Sequence, residues 1–301
     1  CQCRRQRQMC IRDRSDTNHA FAMFDHFHLN GGNVFDTAYI YNNGKSDYYL
    51  GKWIETRNIR DEIVVLAKGA HTPDCHPKKI RPQLEETLNR MGTTSVDIYC
   101  LHRDNTDIPV GDFIDMLNEL KNEGLIGVFG ASNWSLNRFK EANEYALAND
   151  KEPFTVLSNN FSLARMNSPV WPGCFSCSDN DYVDYIKENQ IAIFPWSSQA
   201  RGFFLDGQEF TGAAHVADPN REEQDRVWGS EENFERRRRC LELAEKKSVD
   251  PIQIALAYVL CQQFPTFPLI GPRNFFETEN SMDALNLALD SKEVAWLNLE
   301  S

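Results

Sequence analysis

The chain has 301 residues, of which 41% are hydrophobic and 25% charged, and its formal net charge is -12. This length suits one large α/β domain with a sizeable core. The acidic balance disfavours nucleic acid or an anionic membrane as the main partner. No apolar run approaches the roughly 20 residues that cross a bilayer. Nine scattered cysteines, an odd count, indicate reduced thiols and predict a cytoplasmic protein.

The first segment, residues 1–14, reads CQCRRQRQMCIRDR and shows neither helical nor strand periodicity. We interpret it as a leader that is non-native or disordered, and a native basic tail is the alternative. The remaining residues, 15–301, are then predicted to form a single domain.

Short apolar runs alternate with longer amphipathic stretches from residue 16 onward. The first helix is predicted around residues 20–27. Further helices are predicted over residues 46–57, 78–91, 113–122, 136–148, 182–188, 232–247 and 251–263, then one ending at Leu285 and one near Val294. Seven strands are predicted between them, at about residues 33, 63, 96, 126, 154, 191 and 267. Residues 205–230 are polar and predict a long loop.

Strands that are apolar on both faces and separated by helices are typical of a parallel sheet covered by helices. Seven strands are one short of a closed eight-stranded barrel. We therefore predict an α/β fold, a (β/α)8 TIM barrel whose first strand is missing from this chain. An open doubly wound sheet is the alternative, but no G-x-G-x-x-G motif follows any predicted strand.

Polar side chains follow most of the predicted strands, at the positions where chemistry gathers in a barrel. They are Asp36, Lys68, His102, Ser132, Asn133, Ser158, Asn159, Asn160, Trp196, Ser197 and Arg273. Each of them alone has a plainer explanation, such as a solvated loop lysine, a structural histidine or an aspartate that caps a turn. Several of these residue types at successive strand ends instead predict a catalytic site.

Six segments of the chain resemble the signatures of the aldo-keto reductases, in order from about residue 17 to the C-terminus. They read GGNVFDTAYIY, LAKG, DIYCLHRD, IGVFGASNW, WSSQARGFF and LIGPRN. The resemblance implies an NAD(P)H-dependent enzyme that reduces an aldehyde or ketone, such as a sugar or another small carbonyl compound, to an alcohol. It also implies that Asp36, Tyr41, Lys68 and His102 form the catalytic tetrad.

The residue types agree with this chemistry. A carbonyl that accepts hydride needs a proton and a polar environment for its oxygen. A free tyrosine has a pKa near 10, and a nearby ammonium group lowers it. Tyr41 would then be the general acid, with Lys68 lowering its pKa and Asp36 holding Lys68 in place. His102 would donate a hydrogen bond to the substrate oxygen. Tyr39 is a rival by proximity, but the family spacing favours Tyr41.

The resemblance also implies a cofactor site. Ser132 and Asn133 would bind the nicotinamide carboxamide, and Ser158 stands where the family often has a glutamine. Trp196 would stack on the nicotinamide, and backbone groups near Gly202 would surround the pyrophosphate. Residues assigned to the remaining contacts are Ser197, Gln199, Arg201, Gly271, Arg273, Glu277 and Asn280. An arginine after the last strand suits a 2′-phosphate, which favours NADPH over NADH.

Trp134 and Trp171 are predicted to line the substrate pocket, and simple packing is the alternative for both. The Cys174-x-x-Cys177 pair lacks further ligands, so we assign no metal site. The basic run at residues 236–239 is interpreted as a solvated helix face. Two other hypotheses stay open: a cofactor-binding regulatory subunit with little turnover, and a chain that is inactive as written. Substrate identity and oligomeric state are not predicted.

Overall fold

The computed structural model of the protein describes residues 14–205 and 221–300. The predicted leader, apart from its last residue, and the predicted loss of a first strand lie outside the described residues. The chain divides into two compact units: unit 1 comprises Cys1–Ser158 with Gly271–Phe275, and unit 2 comprises Asn159–Ile270 with Phe276–Ser301. A single domain over residues 15–301 stays a prediction. Within the described ranges, no helix combines the length and apolar character needed to span a membrane.

Unit 1 contains a parallel sheet in which each strand pairs with the next along the chain. The register places Phe35 opposite Val65 and Lys68 opposite Cys100. Because these strands run in one direction, their carboxyl ends lie along the same edge of the sheet. All five agree with predicted strands. They are β1 (Val34–Asp36), β2 (Val64–Gly69), β3 (Val96–Leu101), β4 (Ile126–Ala131) and β5 (Val156–Leu157).

Helices of unit 1 alternate with these strands as predicted: α1 (Arg14–Leu29), α2 (Lys45–Arg57), α3 (Pro77–Met91), α4 (Val110–Asn122) and α5 (Leu136–Ala148). The α3 helix begins with Pro77, whose fixed φ suits a first helical position. It is followed by Gly92, which has a φ of 68° and adopts the left-handed conformation common after helices. The α5 helix begins after Ser135, whose hydroxyl accepts a hydrogen bond from the Arg138 amide.

The α1 helix packs on the sheet of unit 1 through aromatic rings and one carboxylate. The Phe24 ring lies 5.7 Å from that of Phe35 and 5.3 Å from that of Trp53, centroid to centroid. The buried Trp53 indole donates to Asp25 over 2.8 Å. Arg57 donates two further hydrogen bonds to Asp25, of 2.9 and 2.7 Å, which is the fork geometry that an arginine offers a carboxylate. These contacts join α1 to α2.

Unit 2 contains β6 (Ala192–Ile193) and the helices α6 (Asn180–Asn189), α7 (Arg221–Trp228), α8 (Glu231–Lys247), α9 (Pro251–Leu260) and α11 (Ser291–Leu297). Another helix, α10 (Phe275–Asp283), begins at the last residue of unit 1. The α7 helix lies where the sequence predicted a loop. Residues 267–270 form no regular strand, but the Phe267 amide donates to the Ile193 carbonyl over 2.8 Å, as in a short parallel pairing.

The basic run on α8 is not uniformly solvated, so that interpretation is wrong for its first member. Arg236 is only 5% exposed, and its Nη1 lies 3.2 Å from Asn233 Oδ1. Burial lowers the pKa of Arg236. Arg238, in contrast, is exposed as predicted, and it pairs with Glu235 and Glu242.

Candidate active site

Three of the predicted catalytic residues lie at one edge of the unit 1 sheet. Asp36 is the last residue of β1, Lys68 lies next to last in β2, and His102 directly follows β3. Because these strands are parallel neighbours, the three side chains come together although the chain separates them by more than thirty residues. The three residues that the sequence analysis assigned to catalysis therefore lie at one place in the structure.

Lys68 and Asp36 form a buried ion pair between Nζ and Oδ1. Their side chains are 2% and 3% exposed, so both charges have left water. A buried charge is tolerated only when it is paired and hydrogen-bonded, and each of these two supplies that partner to the other. The pair therefore fixes a lysine ammonium group at the carboxyl end of β2.

Tyr41 lies against both Lys68 and His102. The Lys68 Nζ is 5.4 Å from the centroid of the Tyr41 ring. The His102 ring meets the Tyr41 ring edge to face, with 5.4 Å between centroids and 84° between planes. Tyr41 and His102 are 8% and 6% exposed. A phenol, an ammonium group and an imidazole thus share one small, largely dry volume.

The main chain that leads to Tyr41 is tied to β2. The Thr37 amide donates to the Leu66 carbonyl and the Tyr39 amide to the Lys68 carbonyl, each over 2.8 Å. The Tyr41 amide then donates to Ala38 in a tight turn, also over 2.8 Å. The position of Tyr41 relative to Lys68 is therefore set by backbone hydrogen bonds.

Tyr39, the rival by proximity, is engaged elsewhere. Its hydroxyl donates to Glu86 Oε2 over 2.9 Å, and the Arg90 guanidinium lies 4.5 Å from its ring centroid. The hydrogen bond to Glu86 raises the pKa of Tyr39, because it stabilises the protonated phenol. A tyrosine that acts as a general acid near neutral pH needs a lowered pKa. The environment of Tyr39 has the opposite effect, so it does not suit this role.

His71 is a neighbour of the tetrad that sequence reasoning missed. Its ring lies 4.8 Å from the His102 ring, at 78° between planes, and it is partly exposed. Its Nδ1 lies 2.8 Å from the Thr72 carbonyl, which can only accept, so Nδ1 carries the proton. The only available sequence signal was its position three residues after Lys68.

Ser132, Asn133 and Ser158 also lie together in unit 1. The Ser132 hydroxyl donates to the Ser158 carbonyl over 2.7 Å and accepts from the Asn133 amide nitrogen over 3.0 Å. Asn133 has a φ of 62° and also donates to the His102 carbonyl over 3.4 Å. Ser158 therefore joins this group of hydrogen bonds through its backbone carbonyl. The three residues adjoin the tetrad through His102.

Trp134 packs in the core of unit 1. Its side chain is fully buried, its indole donates to the Arg103 carbonyl over 3.2 Å, and its ring meets those of Phe113 and Phe154. This environment supports the packing alternative for Trp134, and its place in the substrate pocket stays a prediction.

In unit 2, Trp171 and Trp196 lie side by side with 5.7 Å between ring centroids. The Trp196 indole Nε1 is buried and has no hydrogen-bond partner among the residues that the structure describes. The segment after it turns through left-handed conformations at Ser197, Arg201 and Gly202, whose φ values are 52°, 53° and 88°. Arg201 binds Glu223 and lies 5.7 Å from the Trp171 ring centroid.

The remaining predicted cofactor residues lie near α10. Arg273 is exposed and Gly271 partly exposed, both within unit 1. In unit 2, Gln199 donates to Ser281 over 3.4 Å, and the Glu277 carbonyl accepts from Ser281 over 2.8 Å. Asn280 is 6% exposed and donates to Asp250, while its Oδ1 has no hydrogen-bond partner within the described ranges.

The alternating strands and helices and the buried cluster of Asp36, Tyr41, Lys68 and His102 agree with the class of α/β barrel oxidoreductases that the sequence resembles. The model of the aldo/keto reductase family matches residues 7–298, nearly the whole chain, and the chain belongs to this family. It is 25% identical to norsolorinic acid reductase A of Aspergillus parasiticus over 91% of this chain and 69% of the relative. It is 26% identical to an aryl-alcohol dehydrogenase of Pestalotiopsis microspora over 91% of this chain and 70% of the relative.

Solved structures show the same fold. A thermostable aldo-keto reductase crystallised with the inhibitor epalrestat matches with a TM-score of 0.71 and 20% identity, covering 96% of this chain and 89% of its own. An aldo/keto reductase from Klebsiella pneumoniae, crystallised with NADP and acetate, matches with a TM-score of 0.68 and 17% identity, covering 96% and 87%. The likeness confirms the (β/α)8 TIM barrel class predicted from the sequence.

Proposed function

We propose that the protein reduces an aldehyde or ketone to an alcohol with NADPH, and that Tyr41 is the general acid. The observation that carries the proposal is the buried cluster in unit 1, where the Lys68 ammonium group lies 5.4 Å from the Tyr41 ring and is itself paired with Asp36. A buried positive charge near a phenol favours its ionised form and lowers its pKa. Tyr41 therefore gives up its proton more readily than an isolated tyrosine.

Each member of the tetrad has a separate task. Tyr41 donates its proton to the carbonyl oxygen during reduction and accepts it back during oxidation. Lys68 stabilises the phenolate that results, and Asp36 keeps Lys68 charged and oriented. His102, whose ring touches that of Tyr41, offers an imidazole N–H to the same oxygen. Bound NADPH would supply the hydride.

Groups that suit contacts with a dinucleotide occur within unit 1 and, taken by itself, within unit 2. In unit 1, Ser132 and Asn133 provide a hydroxyl and an amide for the nicotinamide carboxamide. In unit 2, buried Trp196 Nε1 and Asn280 Oδ1 are a donor and an acceptor without partners among the described residues. An unsatisfied buried polar group costs about 1–3 kcal/mol, so a polar ligand that satisfies it gains that free energy. The Klebsiella relatives crystallised with NADP or NADPH support this choice of cofactor.

The other cofactor contacts are proposed on the family resemblance. Arg273 would bind the 2′-phosphate, and the left-handed turn that ends at Gly202 would surround the pyrophosphate. The further members of this set are Ser158, Ser197, Gln199, Arg201, Gly271 and Glu277. Replacing Arg273 by glutamine is expected to raise the KM for NADPH at least tenfold and to leave the KM for NADH within twofold. Equal effects on both cofactors would refute the 2′-phosphate role.

Aromatic carbonyl compounds are the substrate class that we propose. The names of the relatives, an aryl-alcohol dehydrogenase and norsolorinic acid reductases, support it. In unit 2, the partly exposed Trp171 offers an aromatic surface on which a ring can stack. Benzaldehydes should therefore have a higher kcat/KM than aliphatic aldehydes or sugars, and a preference for sugars would refute this substrate class.

The test of function follows NADPH oxidation with a panel of aromatic and aliphatic aldehydes. The Tyr41→Phe variant should lose at least about a thousandfold in kcat, because it cannot donate the proton, and should bind NADPH as the parent does. Tyr39→Phe is the matched control and should keep its turnover within a few fold. Tight NADPH binding without turnover in the parent would refute the enzyme and favour a cofactor-binding regulatory subunit.

A further inference from the structure

Arg90, on the last turn of α3, contacts the Tyr41-bearing segment (residues 36–47). Its Nη1 donates to the Tyr39 carbonyl over 2.9 Å and lies 3.4 Å from Asp47 Oδ2. Its Nη2 pairs with Glu86, one helical turn earlier. Its guanidinium also lies over the Tyr39 ring. One side chain thus makes three contacts with the segment.

Asp47 joins the two ends of that segment to α3. It is fully buried, and it accepts hydrogen bonds from Thr37 over 2.6 Å and from Thr87 over 3.1 Å. Thr37 directly follows Asp36, and Thr87 lies on α3 beside Arg90. A buried carboxylate is costly unless donors surround it, and these hydroxyls and Arg90 are its donors. Asp47 therefore holds the start of the segment against the same helix.

Gly44 makes room for the Arg90 guanidinium. A Cβ atom at Gly44 would lie only 2.6 Å from Arg90 Nε, closer than real side chains allow. Gly44 also has a φ of 85°, a conformation that glycine adopts without strain. The turn after Tyr41 and the arginine therefore fit each other closely.

The backbone amide and carbonyl of Tyr39 connect β2 to α3. Its amide donates to the carbonyl of Lys68 on β2, and its carbonyl accepts from Arg90 on α3. Tyr41 follows two residues later through the turn that the Ala38 carbonyl closes. A shift of the Tyr39 carbonyl would therefore move the Tyr41 ring relative to the Lys68 ammonium group.

We propose that Arg90 is a positioning residue, which holds the Tyr41 ring beside Lys68 by binding the Tyr39 carbonyl and Asp47. The proposal rests on the function proposed above for Tyr41. It predicts that loss of Arg90 weakens proton donation and leaves cofactor binding intact. Misplacement by about 1 Å can reduce a rate about a hundredfold.

The experiment compares Arg90→Ala with Arg81→Ala in the full chain. Arg81 lies on the same helix but pairs with Glu119 and Glu123 over 2.7 and 2.6 Å, away from the segment. Thermal melts confirm folding, and NADPH binding is followed by fluorescence. Arg90→Ala should lower kcat about 10- to 100-fold with the NADPH Kd within twofold, and Arg81→Ala should leave both unchanged.

Two readouts separate positioning from a merely structural role. Among the described residues, Lys68 on β2 and His102 after β3 lie against the Tyr41 ring, with Asp36 paired to Lys68 and His71 beside His102. If Arg90→Ala moves the phenol away from Lys68, its pKa rises and the alkaline limb of the kcat profile shifts to higher pH. Added guanidinium at millimolar concentration should restore part of kcat in Arg90→Ala, and none in a variant that lacks Tyr41.

Several outcomes would overturn the proposal: kcat within twofold of the parent, an unshifted alkaline limb, or a loss equal to that of Arg81→Ala. If Arg90→Ala fails to fold, Arg90→Lys replaces it, since it keeps the charge but loses the planar fork, and the same readouts apply. If the parent shows no turnover, the proposed function has failed. The pKa of Tyr41, followed by tyrosine-selective NMR, then decides the positioning role by itself, and an unchanged value in the variant overturns it.

Discussion

Replacing Asp36 by asparagine tests the buried ion pair on which the site depends. The substitution keeps the size of the side chain and removes its charge, so the Lys68 ammonium group loses its counter-ion where it is 2% exposed. Breaking a buried pair from one side costs about 3–5 kcal/mol. Lys68 can limit this cost by releasing its proton. From a reference pKa of about 10.4, release at pH 7 costs about 4.6 kcal/mol, which is therefore an upper limit.

The protonation of Lys68 also determines how the stability lost in Asp36→Asn depends on pH. In the variant, the folded-state pKa of Lys68 falls below its unfolded value, so the variant gains stability as the pH rises toward about 10.4. At pH 9 the cost of proton release is only about 1.9 kcal/mol. The difference between parent and variant should therefore fall from about 3–4.6 kcal/mol at pH 7 to at most about 1.9 kcal/mol at pH 9.

Urea unfolding at both pH values measures these differences. Adding Lys68→Met to the variant removes the unpaired charge and should recover most of the stability. Glu55→Gln is the control, because the side chains of Lys52 and Glu55 are 49% and 70% exposed and solvent screens their attraction. A loss below about 1 kcal/mol at pH 7, or one that stays constant to pH 9, would show that the two charges are not buried together.

Other parts of unit 1 give further predictions. The Tyr99 hydroxyl is buried without a partner among the described residues, so Tyr99→Phe should be neutral or stabilise the fold by up to about 1 kcal/mol in a urea titration. Gly69→Ala places a Cβ on that hydroxyl and should cost about 1–3 kcal/mol, which Tyr99→Phe should largely reverse; additive effects would contradict this reasoning. Arg57 lowers the pKa of Asp25 from 3.8, so Asp25→Asn should cost about 1 kcal/mol at pH 7. That difference should disappear as the pH falls through the lowered pKa, and a difference that persists there would refute the ion pair.

Much of the unit 1 architecture follows from patterns in the sequence. The β3 strand begins, and the α5 helix begins and ends, where periodicity placed them, since a buried strand and an amphipathic helix each impose a pattern that is visible locally. The predicted strand at 267–270 is not regular, because Pro268 within it and Pro265 just before it lack amide donors. The helix α7 was missed because its charged residues read as a solvated loop.

The site residues at strand ends could be predicted from the sequence, but the side chains that hold the site residues in place could not. Asp36, Lys68 and His102 come together because parallel strands end at one edge, which is a rule of topology. Arg90 contacts Tyr39 across fifty-one positions, and no local pattern announces such a contact. For Trp134 the sequence left a pocket wall and simple packing open, and the contacts of Phe113 and Phe154 with its ring support the packing alternative.

The turn after Tyr41 restricts how this protein can be engineered. Asn42, Asn43 and Gly44 all adopt left-handed backbone conformations, with φ values of 51°, 54° and 85°. A β-branched residue at any of them would meet a penalty of about 1–2 kcal/mol, and an inserted residue would break the turn apart. Libraries that seek new substrates should therefore leave this triplet untouched and diversify positions such as His71, where a side chain can change without bending the chain.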